Sequence, residues 1–171
     1  DIAVISLGGV VVSASIKVAG NDFDEAIIRH VRKAHNLFIG EQTAEAIKMK
    51  IGTVCKRPQA ETMEVKGRNV ITGLPKTVTR YIRGGTGRHC RRCTTKIVGS
   101  SAQCTGEDAT GIGCGIVDRG IVLTGGGALL DGFEEVISQR TGINTMTAEN
   151  PACVVAEGTG RYAEVMEELG K

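Results

Sequence analysis

Residues 121–130 read IVLTGGGALL, and the reading of this stretch decides the fold. Ile121, Val122 and Leu123 are the material of a short buried strand. Three glycines follow Thr124, and apolar residues at helical spacing run from about Leu129 to Arg140, closed by Thr141-Gly142. A strand that turns through glycines into a helix delivers the chain to the C-terminal edge of a sheet, where open α/β sheets bind ligands. Without side chains at Gly125, Gly126 and Gly127 a ligand can approach the main chain closely. The first turn of the following helix would offer it unpaired N–H groups. A tight strand-to-helix turn explains the same residues equally well, so the neighbouring sequence has to decide.

Outward from this corner, residues 116–119 lead into the strand, 143–147 form another, and 151–169 make a final helix interrupted at Gly158-Thr159-Gly160. Toward the N-terminus, β-branched runs at 2–7 and 10–18 flank Gly8-Gly9 and predict a hairpin. Gly20-Asn21-Asp22 caps a helix with Phe23, Ile27, Val31 and Ala34 on its apolar face, and residues 36–40 break it. Thr43 caps a second helix through Ala44, Ile47 and Ile51, stopped by Gly52. Residues 53–59 are a loop. Short strands follow at 61–66 and 68–72, divided by Gly67, then a turn at Gly73-Leu74-Pro75 and a strand at 76–79. Strands alternating with helices argue for an α/β layer structure.

The chain has 171 residues, 41% of them apolar, enough for one domain or one domain with a satellite. Only 3% are aromatic, so the core is aliphatic. A formal charge of +2 gives no ground for a nucleic-acid partner. No apolar run reaches the roughly 18 residues of a spanning helix. The reading is a cytosolic chain with reduced cysteines. It begins without Met, directly in a strand, which suggests a piece of something longer.

Four of the six cysteines fall between Arg83 and Gly115. Cys90 and Cys93 have the spacing of a zinc knuckle, and Cys104 and Cys114 could complete four thiolates, but without a second C-x-x-C. A flexible glycine-rich insert is the other reading. His30 and His35 read as solvated helix positions. Asp22, Asp24 and Glu25 read as capping and helix-dipole residues. Cys55 and Cys153 read as ordinary free thiols, and Met146 and Met166 as core filler.

Five co-linear segments settle the glycine corner. DIAVISLGGVVVSASIKVAGNDFDEAII (1–28), GEQTAEAIKMKIG (40–52), EVKGRNVITGLPKTV (64–78), IVDRGIVLTGGGALLDGFEEVI (116–137) and VAEGTG (155–160) together closely resemble the MreB family, bacterial actin homologues that guide rod-shaped growth. The resemblance implies an α/β, actin/Hsp70-like (ribonuclease H-like) ATPase fold, its second half only, with a small inserted α+β subdomain. Residues 1–20 and 77–171 would form the larger subdomain, and 21–76 the small outer one. It places the adenosine of ATP beside Thr124, Gly125, Gly126 and Gly127, and points to Lys48 and Glu45 on the adenine and ribose side. Gln42 stands where the family often has Arg. The family's phosphate loops and catalytic acid would lie upstream of Asp1. The parent would then be a slow ATPase using Mg, and this piece an inactive, feeble adenosine binder. Implied partners are further copies in a filament, the inner membrane surface and the cell-wall elongation machinery, with a cytoplasmic location peripheral to that membrane. A chaperone-type ATPase of the same superfamily and a zinc-stabilised binding module on the CRRC stretch are the competing readings.

The resemblance fails at about 80–115, where the family is helical. Read one base out of frame, residues 80–90 become VTSEEVRDAIA and residues 99–115 become EAVRSVLE[RK]TPPELAAD, which runs straight into IVDRG. Both are what an MreB-like chain should contain. Compensating single-base shifts therefore explain the Cys, Gly and Arg enrichment, and resequencing the gene tests it. As displayed, the segment lacks an apolar face, and its glycines cost about 1 kcal/mol each in a helix. It is expected to be frayed or disordered.

Overall fold

The computed structural model describes residues 1–55, 61–82, 84–106 and 119–168. The chain opens with an antiparallel hairpin of β1 (Ile2–Ser6) and β2 (Gly9–Ala14). Its two-residue loop holds Leu7 at φ 52° and Gly8 at φ 78°, the pair of positive values that matches the twist of hairpin strands. Ser6 pairs with Gly9 and Val4 with Val12, but Ile5 pairs with Val10, so Val11 is the extra residue of a bulge. β2 stops short of the predicted Val18.

Helix α1 (Gly20–His35) buries the predicted Phe23, Ile27 and Val31, with Ala26 in addition, while Ala34 of the predicted stripe is exposed. The Asp22 carboxylate accepts from the Ala19 N–H at 2.9 Å and so ties off the first turn. Asn36 ends the helix in the left-handed region at φ 51°. The break predicted after it contains a two-residue strand, β3 (Leu37–Phe38). Helix α2 (Glu41–Ile51) is capped at Gly40 and not at Thr43, which lies within its first turn. Ala44, Ile47 and Ile51 are its buried face. Strands β4 (Thr62–Asn69) and β5 (Pro75–Ile82) complete an antiparallel sheet of order β3-β4-β5. Gly67 does not divide β4. A Cβ there would lie 2.4 Å from the Phe38 carbonyl oxygen, so glycine lets β3 and β4 pair closely. β5 runs through residue 77, where the sequence reading places a subdomain boundary.

Helix α3 (Gly84–Gly106) corrects the expectation of a frayed segment over those residues; the part at 107–115 lies outside the described residues. Cys90, Cys93, Thr94, Val98, Ser101 and Cys104 are buried, spaced three or four apart except for the adjacent pair. The stripe is made of small side chains. Cysteine packs as a small hydrophobe, and the buried hydroxyls are satisfied inside the helix: Thr94 Oγ1 donates to the Cys90 carbonyl and Ser101 Oγ to that of Ile97, each at 3.0 Å. Burial against α1 overrides the local glycine penalty.

After Gly120 come β6 (Ile121–Leu123), a 3₁₀ turn (Gly126–Leu129), α4 (Phe133–Thr141), β7 (Thr145–Thr147) and α5 (Val154–Glu168). β6 and β7 pair in parallel, Ile121 opposite Thr145 and Leu123 opposite Thr147. β6 is only half-buried, with Val122 57% exposed. Met146 is exposed too, which corrects its assignment to the core. α5 is not interrupted at Gly158-Thr159-Gly160: Thr159 Oγ1 bonds the carbonyls of Val155 and Ala156 at 3.0 and 2.9 Å, and the helix passes through. The core joins α1, β3, α2, β4 and α3 to Leu130, Phe133 and Ile137.

Candidate functional site

The triple-glycine corner is fixed from behind and open in front. Gly125 has φ 83°, and its N–H donates to the Pro151 carbonyl at 2.6 Å. Ala128, buried, and Leu130 close the 3₁₀ turn through N–H bonds to the Gly125 and Gly127 carbonyls at 3.1 and 3.2 Å. A Cβ added at Gly125, Gly126 or Gly127 would meet nothing within 4 Å. Thr124 beside them is exposed. The helix predicted from Leu129 instead begins at Phe133, after Asp131 and a left-handed Gly132 cap at φ 80°. The N–H groups of α4 therefore do not open at the corner, and a ligand there would meet the 3₁₀ turn and bare main chain.

A second segment is fastened to this one. Thr53 and Asp131 form an isolated parallel bridge, and the Val54 N–H donates to the Asp131 carbonyl at 3.0 Å. Thr53, 1% exposed, also directs Oγ1 to the carbonyls of Asp131 and Cys55 at 3.3 and 3.1 Å. A Cβ on Gly132 would lie 2.2 Å from Cys55 Sγ, and one on Gly52 2.1 Å from the Lys48 carbonyl. Only glycine fits either place, so the exit from α2 and the end of the TGGG segment are locked together. Lys48 and Glu45 project from α2 a turn or two before this lock, Glu45 exposed and Lys48 half-buried.

Sequence reasoning missed a buried ion pair. Lys48 Nζ lies 2.7 Å from Asp24 Oδ2 and 3.3 Å from the Gly20 carbonyl, with the side chains 16% and 12% exposed. Asp24 is therefore the partner of Lys48, not simply a residue of the helix dipole. The signal was available: Asp24 sits within the apolar stripe of Phe23, Ile27 and Val31, and Lys48 within that of Ala44, Ile47 and Ile51. A charge on the buried face of each of two packed helices calls for a partner.

Among the described residues the cysteines are not gathered into a metal site. Cys90 and Cys104 lie on one continuous helix, about 21 Å apart at 1.5 Å per residue. Among the described residues no three His, Cys, Asp or Glu side chains come together to hold a metal ion. Burial, then the neighbouring Cys93 and Asp24, push the Cys90 thiol up to about 12; burial and Asp22 raise that of Cys93. Cys114 lies outside the described residues.

The likeness of this α/β chain to solved structures makes its fold actin-like. The solved structure of MreB5 of Spiroplasma citri bound to ADP superposes with a TM-score of 0.89 at 32% identity, over 97% of this chain and 50% of that one. The MamK double helical filament superposes at 0.71 and 19% identity, which is a likeness of fold. The sequence profile of the MreB/Mbl protein family matches residues 1–171, and the chain belongs to that family. It is 38% identical to the cell shape-determining protein Mbl of Bacillus subtilis, covering all of this chain and 51% of Mbl. It is equally identical to the cell shape-determining protein MreB of Escherichia coli, covering 99% of this chain and 49% of MreB. The chain thus spans about half the length of the curated relatives it matches. Among the described residues no helix is long and apolar enough to cross a membrane.

Proposed function

We propose that this chain supplies the nucleoside-binding half of an ATP-binding, filament-forming actin homologue that determines cell shape. The adenosine lies along Thr124, Gly125, Gly126 and Gly127, with Lys48 and Glu45 of α2 on its adenine and ribose side. Residues 1–20 and 77–171 act as the larger subdomain of the lobe and 21–76 as the smaller. The phosphates and Mg are held by the rest of the parent, which hydrolyses ATP slowly, associates with further copies, and works at the inner membrane surface with the cell-wall elongation machinery. The observation that carries the reading is the open front of the glycine corner: space is kept free at three successive residues while the back is tied to Pro151. A relative of the same fold, MreB5, has been solved with ADP and with AMPPNP.

The test is an ADP titration of the 171-residue chain followed in ¹H–¹⁵N correlation spectra. Weak, saturable shifts centred on the amides of residues 124–130 and on α2 are expected. A folded spectrum that stays unchanged at millimolar ADP, or shifts centred elsewhere, overturns the reading.

A further inference from the structure

The reading of Lys48 as a nucleoside contact leaves open how a long, flexible side chain is held ready. Its ammonium has three N–H donors. One goes to Asp24 Oδ2 at 2.7 Å and one to the Gly20 carbonyl at 3.3 Å. Asp24 and Gly20 belong to the first turns of α1, whereas Lys48 belongs to the last turn of α2. The contact thus fixes one helix end against the other, at the helix whose exit is locked to Asp131. Asp24 is built into the core, 8% exposed, and its Oδ1 is buried with no hydrogen-bond partner. An acid placed so expensively for stability alone could be replaced by an apolar residue. Among the described residues the third ammonium N–H has no partner, and the side chain is not wholly sealed from solvent.

We infer that Asp24 is a positioning residue: together with the Gly20 carbonyl it holds the Lys48 ammonium in one rotamer so that its remaining N–H is presented to an acceptor oxygen or nitrogen of the bound nucleoside. The inference rests on the nucleotide reading above. A lysine fixed before the ligand arrives does not lose its rotamer freedom on binding.

The experiment is the same ADP titration, run on wild type and on Asp24→Asn, Asp24→Glu and the double variant Asp24→Leu/Lys48→Met. Asp24→Asn is expected to weaken ADP about tenfold, the cost of ordering one lysine side chain at each binding event. Asp24→Glu recovers most of that loss, which a packing role for the shorter acid would not. Should Asp24→Asn unfold because it strands a buried ammonium, the double variant, an apolar pair of similar volume, keeps the fold and still binds ADP more weakly than wild type. The Lys48 ¹⁵Nζ resonance, visible in wild type through slow exchange, is lost in Asp24→Asn without any ligand present. A wild type that binds ADP beside a folded Asp24→Asn that binds it equally well overturns the positioning role alone; a double variant that binds it equally well overturns the Lys48 contact too. A wild type that takes no ADP overturns the nucleotide reading and this role with it.

Discussion

Thr53 and Asp131, 78 residues apart in sequence, are joined as an isolated parallel bridge that fastens the exit of α2 to the end of the glycine segment. Thr53 is the more exacting member. Its buried hydroxyl shares one proton between the Asp131 and Cys55 carbonyls, one on each side of the junction, and accepts the Cys55 N–H at 3.3 Å.

Thr53→Ala therefore leaves buried carbonyl and N–H groups less well satisfied. It is expected to cost about 1–2 kcal/mol, read as a lower urea midpoint with an unchanged m-value. Thr53→Val keeps the methyl packing and loses the same hydroxyl, so it should cost nearly as much. If either variant matched wild type, the junction would be held by its backbone bonds alone.

Much of the architecture was legible because it is local. The β1–β2 hairpin follows from β-branched runs around Gly8, and the α1 stripe of Phe23, Ile27 and Val31 from its spacing. Gly52 as a stop also follows from position, although its close approach to the Lys48 carbonyl does not. What escaped is non-local. Asp24 finds Lys48 across two helices, and Thr53 finds Asp131 across 78 residues of sequence. Leu37 and Phe38 become a strand only because Gly67 lets β4 come close. The glycine corner was legible as a corner, but the helix start was misplaced by four residues because Ala128, Leu129 and Leu130 look helical while Gly132 sets the true cap. α3 was misread for a similar reason: the glycines were counted, but the burial offered to Cys90, Val98 and Cys104 by α1 and α4 could not be.

The out-of-frame reading of residues 99–106, EAVRSVLE, bears directly on α3. It puts Val at 101 and at 104, two buried positions, where Ser101 and Cys104 now stand. It puts Glu at Gly99, where a Cβ would meet open space. Gly99→Glu, Ser101→Val and Cys104→Val together are expected to stabilise the chain by about 2 kcal/mol, from one glycine removed from a helix and two added apolar side chains. Denaturant unfolding measures it. A destabilised triple variant would mean that the small-residue stripe is the one this core was built for.

Cys90 makes stability depend on alkaline pH. Its folded thiol is held up to about 12 against an ordinary 9.0. Between those values the unfolded chain has released a proton that the folded chain keeps, so stability is unaffected below pH 9 and falls as pH rises from about 9 toward 12. The difference in unfolding free energy between wild type and Cys90→Ala should be constant from pH 6 to 8 and shrink above pH 9. A constant difference through pH 10.5 would show that Cys90 is not shielded in solution. The exposed Cys153 supplies an internal contrast, reacting with a thiol reagent in the native state long before Cys90 does.

Gly125 and Gly126 separate what the corner needs to fold from what it needs to bind. Gly125 sits at φ 83° and ψ 164°, a region that is essentially glycine's alone, so Gly125→Ala strains the backbone by about 1–3 kcal/mol whatever the space around it. Gly126 is the first residue of the 3₁₀ turn, has no positive φ and faces open space. Gly126→Leu should leave the urea midpoint within about 0.5 kcal/mol of wild type, as exposed substitutions do. The same side chain would occupy the space in front of the main chain that the nucleoside is proposed to use, so the ADP-induced shifts at residues 124–130 should disappear. Loss of binding with retained stability is a combination that a mere strand-to-turn connector would not produce. A Gly126→Leu chain that still responds to ADP as wild type does would place the nucleoside elsewhere.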